Sequence, residues 1–202
     1  MGGNYTYIIA SLPALTTEYK PSHKDGCNGL IDWILSQLDG KDADKARMVR
    51  EGFNPGSLDG DFYRKAFASG NDFIRAFFTR DLNIRNAKVE YLNKALERPA
   101  GTDVLQIEGV PEDSGQQAVA AIFKGDDLLE RERAIDNSLW AVCDEVTLFR
   151  YFTLDNVLAI VAKLCIINRW LSLDEEAGRQ MLRRLIEGVR GSYGNIEFEK
   201  FE

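Results

Sequence analysis

Residues 153–171 read TLDNVLAIVAKLCIINRWL, and this stretch decides the fold class. Apolar side chains cover most of the helical circumference, interrupted only by Asp155, Asn156, Lys163, Asn168 and Arg169. A helix of that kind is buried on nearly every side, which predicts the central member of a bundle, with Thr153 as its cap. The polar interruptions leave no run of roughly 20 apolar residues, so no membrane crossing is expected here or elsewhere.

Upstream, Leu128, Ile135, Leu139, Val142, Val146 and Phe149 recur at steps of three, four and seven. That spacing gives a helix with one packing face, capped by Asp126. Ser114 and Gln117 form a capping box for a short helix ending at Gly125. Residues 98–114 carry Pro99, Gly101, Gly109 and Pro111 and read as a connector, with Val104 to Ile107 as one possible short strand. Before the connector, Phe73, Phe77, Ile84, Val89, Leu92 and Leu96 mark a long helix from Asp72 to Glu97. Shorter helices are expected around Phe62 to Phe67, over Asp42 to Glu51 and through the stripe Leu30, Ile31, Ile34, Leu35 and Leu38. Downstream, Ser172 and Glu175 cap a last helix whose apolar face is Met181, Leu182, Leu185, Ile186 and Val189. The expected fold is therefore all-α, an antiparallel helical bundle. It comprises a single helical domain over 1–202, or two lobes, 1–98 and 115–190, joined by the connector 99–114.

Composition narrows the function. The 202 residues carry a formal charge of -7. Excess acid disfavours tracking of nucleic-acid phosphates and adhesion to an anionic membrane. Cys27, Cys143 and Cys165 are too few and too scattered for a disulfide framework or a zinc site, and a reducing, cytoplasmic setting is expected. Residues 5–15 are apolar without a preceding basic region, so a signal peptide is not expected.

Catalytic inventory is thin. The single histidine, His23, lies in the loop-like KPSHKDG, and one histidine supplies neither a paired metal motif nor a nucleophile–base couple. Glycines 52, 56 and 60 lack the Lys-Ser/Thr ending of a phosphate loop. No cofactor, metal or catalytic residue is assigned. Two polar clusters stand out instead, RDLNIRN at 80–86 and ERERAID at 130–136. The simpler reading is solvated salt bridging along a helix face. The alternative is a buried arginine–carboxylate–asparagine network that sets helix register. Trp140 and Trp170 read as core.

Three stretches together carry a family resemblance: NYTYIIASLPAL at 4–15, RDLNIRNAKVEYLN at 80–93, and the segment from ERERAID to SLDEEAG at 130–178. Their order resembles a bacterial family of uncharacterised proteins encoded beside V/A-type ATPase genes and similar to the V-type ATPase C subunit, also called the d subunit. The residues that match are Leu82, Asn83, Arg85, Asn86, Arg131, Glu132, Asp136, Trp140, Phe149, Phe152, Lys163, Arg169 and Trp170. The resemblance implies a fold similar to part of the C subunit and a non-catalytic central-stalk or peripheral role. Its partners would be the rotor shaft and membrane ring, which it would couple in proton or sodium transport. It implies a cytoplasmic location, peripheral to the inner membrane through those partners, with no nucleic acid and no direct membrane insertion. The matching residues are then structural or interface residues. The C subunit is longer and built from three similar parts, a repeat this chain lacks. A helical adaptor or regulator unrelated to ion transport is the competing expectation.

Overall fold

The computed structural model describes residues 5–21, 26–111, 113, 115–125 and 127–171. Among these residues the chain is all-helical, with no strand. The helices are α1 (Tyr5–Ala10), α2 (Asn28–Gln37), α3 (Gly40–Glu51), α4 (Gly60–Phe67), α5 (Asp72–Ala95), α6 (Gln116–Ile122), α7 (Leu128–Thr147) and α8 (Leu154–Leu171). No described helix is long and apolar enough to cross a membrane.

Helix α8 sits at the centre, in contact with α1, α2, α3, α5 and α7. Its residues Val157, Leu158, Val161, Ala162, Leu164 and Cys165 are all buried, as an all-round apolar helix requires. Helix α3 approaches it through the small residues Ala43 and Ala46, followed by Val49, all buried. Apart from Gly40 and Met48, the rest of α3 is charged, so small side chains on one narrow face let an otherwise hydrophilic helix pack closely. A second part of the core is aromatic. Phe62 and Phe78 meet edge to face at 4.9 Å, and Phe77 stacks on Phe73 at 5.6 Å. Such geometries add roughly 0.5–1.5 kcal/mol per pair to simple burial. Gly52 lies against this cluster so tightly that a Cβ there would fall 2.3 Å from the Phe78 ring.

Cross-helix pairs fix the directions. From α7 to α8, Asp144 meets Lys163 and Asp136 meets Arg169, so the two run antiparallel. From α5 to α7, Arg80 meets Ser138 and Lys88 meets Glu132, again antiparallel.

Several sequence expectations shift. Asp127, one residue after the expected cap, accepts from the Glu130 N–H at 2.9 Å and starts α7. Adjacent aspartates offer the same cap chemistry, and the backbone turn chooses between them. Gly115 is the N-cap of α6 and supplies no side-chain bond, while Ser114 lies outside the described residues. Thr153 donates to the Arg150 carbonyl at 3.1 Å, back into the preceding turn. The α7 stripe is buried only in its middle: Ile135, Leu139 and Val142 are core, whereas Leu128 and Phe149 at its two ends are exposed. His23, the capping box at 172–175 and the last helix fall outside the described residues.

Candidate interaction site

The matching residues fall into three groups, and the first joins the connector to α5. Asn83, Asn86 and Asn93 lie on one face of α5, three and seven residues apart. The Asn93 amide donates to the Thr102 carbonyl at 2.7 Å. Asn86 donates to the Leu105 carbonyl at 2.9 Å and accepts from the Leu105 N–H at 3.0 Å. Asn83 donates to Asp113 at 3.0 Å. The connector thus returns along α5 on a rail of side-chain amides. Leu105 belongs to the possible strand expected at 104–107, and its backbone finds both partners in one asparagine instead.

The rail ends in a buried ion pair. Arg80 Nε donates to both Asp113 oxygens, at 3.0 and 2.9 Å, and Nη1 donates to Ser138 Oγ at 3.1 Å. The two side chains are only 6% and 7% exposed. Burial opposes charge on Asp113, but bonds from Arg80, the Gly115 N–H and Asn83 outweigh it and hold the carboxyl below its usual range. Gly115 is required here by space: a Cβ would sit 2.2 Å from the Arg80 guanidinium. In this cluster the buried network is the correct reading of RDLNIRN, and solvated pairing is not. Arg80 belongs to a mixed-charge cluster that stands out in the sequence. Asp113 gives no such signal, because nothing in a Pro- and Gly-bearing connector predicts burial.

A second group lines a cleft of about 350 Å³ between α5, α7 and the 52–58 loop, closed by Arg169 of α8. Lys88 and Arg169 both bond Glu132, at 3.2 and 2.8 Å, and Arg169 Nε also reaches Asp136 at 3.2 Å. These pairs hold Glu132 below the usual carboxyl range despite the cost of its partial burial. Asp136 is buried more deeply, and burial pushes it up to about 6, only partly offset by Arg169 and the Trp170 side chain. Asp81 also rises to about 6 through burial, with Tyr63 donating to it at 2.6 Å and Arg85 beside it. Arg85 bonds the Leu58 carbonyl and so ties the loop to α5. Leu82 is core.

Cation–π contacts complete the bracing. Arg131 lies 4.4 Å from the Tyr91 ring centroid and donates to the Gly125 carbonyl at 2.6 Å. Lys163 lies over Trp140 at 4.9 Å while bonding Asp144 at 2.6 Å. Trp140 and Trp170 are half-buried, packed on the core by one side and covered by cations on another. The expectation that both are core residues holds only in part.

The cleft contains acids, bases and one phenol, and among the described residues no serine, cysteine or histidine lines it. Its charges meet one another across three helices, an arrangement that fixes helix register. Cys27, Cys143 and Cys165 are buried free thiols pushed up by desolvation, which keeps them poor nucleophiles. Among the described residues, no group of three His, Cys, Asp or Glu is placed to hold a metal.

The third group differs in kind. Phe149 and Phe152 lie in the turn between α7 and α8, beside Leu148 and Tyr151, and all four are exposed. No charged or aromatic partner inside the described chain covers them.

Comparison with known proteins gives one match. A family model described as protein of unknown function (DUF2764) matches residues 54–192, a span that holds all of the matching residues from Leu82 to Trp170. No curated protein and no solved structure matches the chain.

Proposed function

This chain belongs to the DUF2764 family of proteins of unknown function, and from that premise we propose that it acts as a non-catalytic, protein-binding component of a larger assembly. The observation that carries the reading is the contrast within the matching residues. Glu132, Asp136 and Arg169 bind one another, and Arg85, Arg131 and Lys163 bond neighbouring parts of the chain, while Phe149 and Phe152 face solvent. A scaffold whose charged side chains are engaged within the fold and whose aromatics at one turn stand outward fits recognition better than turnover.

The partner is proposed from the ordered resemblance at 130–178: the rotor shaft and membrane ring of a V/A-type ATPase. The protein would couple these components in proton or sodium transport from the cytoplasmic face, held through proteins and not by insertion. The test mixes the purified protein with purified shaft and ring, followed by size-exclusion chromatography and ATPase assay. Co-elution without intrinsic ATP hydrolysis is the expected result. Failure to bind either component at micromolar concentration rejects the ATPase reading and favours a helical adaptor outside ion transport. Hydrolysis by the isolated chain rejects the non-catalytic reading.

A further inference from the structure

Five leucines stand exposed at one end of the bundle. Leu92 and Leu96 lie at the end of α5, Leu128 and Leu129 open α7, and Leu171 is the last described residue of α8. The three helices meet at this end, because Arg131 donates to Tyr91 at 3.3 Å and Arg169 donates to Glu132 at 2.8 Å. Leu128, Leu129 and Trp170 line a recess of about 470 Å³ there, together with Glu132 and Arg169. Single exposed leucines need no explanation, but a group gathered from three helices at one end marks a contact surface.

The sequence carries a complementary surface right beside that recess. Ser172 follows Leu171 directly, and residues 172–202 lie outside the described residues. Met181, Leu182, Leu185, Ile186 and Val189 recur at steps of one, three and one again, the stripe of an amphipathic helix. Such a helix is marginal alone in water and takes its stability from an apolar surface to pack on. The capping box of Ser172 and Glu175 starts the expected helix at once. Turning back alongside α8 takes a loop of about two to five residues. A start at Ser172 leaves no such loop and directs the helix over the end of the bundle, where the leucines stand. The family match, residues 54–192, runs past α8 and includes the whole stripe.

Attachment selects the occupant. A segment tethered within a few residues of the recess competes for it at an effective concentration on the order of millimolar. A free partner or a second copy would have to displace it. We infer that the stripe from Met181 to Val189 occupies this recess, so that the segment after α8 closes the leucine end of the bundle. The inference goes beyond the protein-binding reading and holds whether or not the ATPase components bind. It also takes the leucine end out of the surfaces open to a partner.

Hydrogen exchange of the full chain tests this. Amides at 176–190 are expected to exchange at least about tenfold more slowly than in an unstructured peptide, as packed helices do. In Leu128→Glu/Leu129→Glu that slowing should be lost while α8 keeps its own protection. Both positions are exposed and glutamate suits the first turn of a helix, so α7 still forms. Phe149→Glu, beyond the other end of α7, should leave 176–190 unchanged. A second measurement serves if the double variant unfolds. Leu129→Cys is paired in turn with Leu182→Cys, Leu185→Cys and Val189→Cys under mild oxidation. At least one pair should close an intrachain disulfide, which takes Cα atoms within about 7 Å, and Phe149→Cys should close none with the same partners. Exchange at the unstructured rate across 176–190 overturns the inference. So does slowing that survives the double variant, slowing that fades on dilution as a contact between copies would, or failure of all three disulfides.

Discussion

Arg80 and Arg150 each hold a carboxylate in another part of the chain, yet they sit in opposite environments. Arg80 and Asp113 are almost fully enclosed. Arg150 is 44% exposed, and of its two partners Asp155 is 13% exposed while Asp72, the one it reaches on α5, is 68% exposed. Enclosure changes what the same chemistry is worth. A buried charge that loses its partner stays in a poor solvent, whereas an exposed one turns to water. The interior pair therefore locks α5, the connector and α7 together. The exterior pair only orients the turn that presents Phe149.

The contrast is broken most directly by cutting each pair. Arg80→Ala strands Asp113 and should cost about 3–5 kcal/mol in urea denaturation, the range for breaking a buried ion pair. A loss below about 1 kcal/mol, the ceiling for typical exposed pairs, would show that water reaches the pair and that the two arginines are alike.

Gly52→Ala sharpens how tightly the interior is filled. The new methyl must displace the Phe78 ring, so a loss of about 1–3 kcal/mol is expected from overpacking. Gly52 has φ at -61°, which alanine adopts freely, so any loss measures space and not backbone strain.

The cleft lies between the two extremes and should show it through pH. Asp136 is raised to about 6, so the native state holds its proton more tightly than the unfolded chain does. Its stabilising contribution is complete below the ordinary aspartate value near 3.8 and is lost as pH rises through 6. Glu132 and Asp113, both lowered, act oppositely, with contributions present above their ordinary values and lost as pH falls. Subtracting Asp136→Asn from wild type isolates the first effect. Wild type should gain on the variant by roughly 1–3 kcal/mol as pH falls from about 7 to about 4. A difference that is flat with pH would place Asp136 in contact with solvent.

At the α7–α8 turn, changes should leave stability nearly untouched. Phe149 has φ at 65°, and Phe149→Gly relieves this left-handed backbone but frees the unfolded chain, for a net gain of about 1 kcal/mol or less. Arg150→Ala should leave the melting temperature close to that of wild type, because Asp155 keeps its bond from Asn71 and Asp72 turns to water. A large loss of stability at either position would make the turn part of the core and erase the distinction.

Much of the helical framework was legible because periodicity survives in a single chain. Leu30 to Leu38, Asp72 to Leu96 and Leu128 to Val146 announce their helices by three- and four-residue steps, and α8 announces its central place by having no polar face. The fate of the polar residues was less legible. RDLNIRN and ERERAID look alike as mixed-charge clusters, but only the first contains a nearly fully enclosed arginine. Periodicity gives an angle around a helix axis and says nothing about what stands at that angle. For the same reason the ends of the α7 stripe misled: Leu128 and Phe149 lie in register with core residues, but the neighbouring helices do not cover them.

The sequence by itself determined that this protein is helical and that α8 is its centre. Each follows from properties summed over a segment or over the chain. Only the tertiary structure decided that Asn86 serves as the backbone partner of Leu105, that Asp113 closes on Arg80, and that Phe149 faces outward. Arg80 and Asp113 are 33 residues apart, joined through a connector without periodic signal. Whether a charge or an aromatic ring is enclosed depends on the segments that fold over it, and a local pattern carries no record of them.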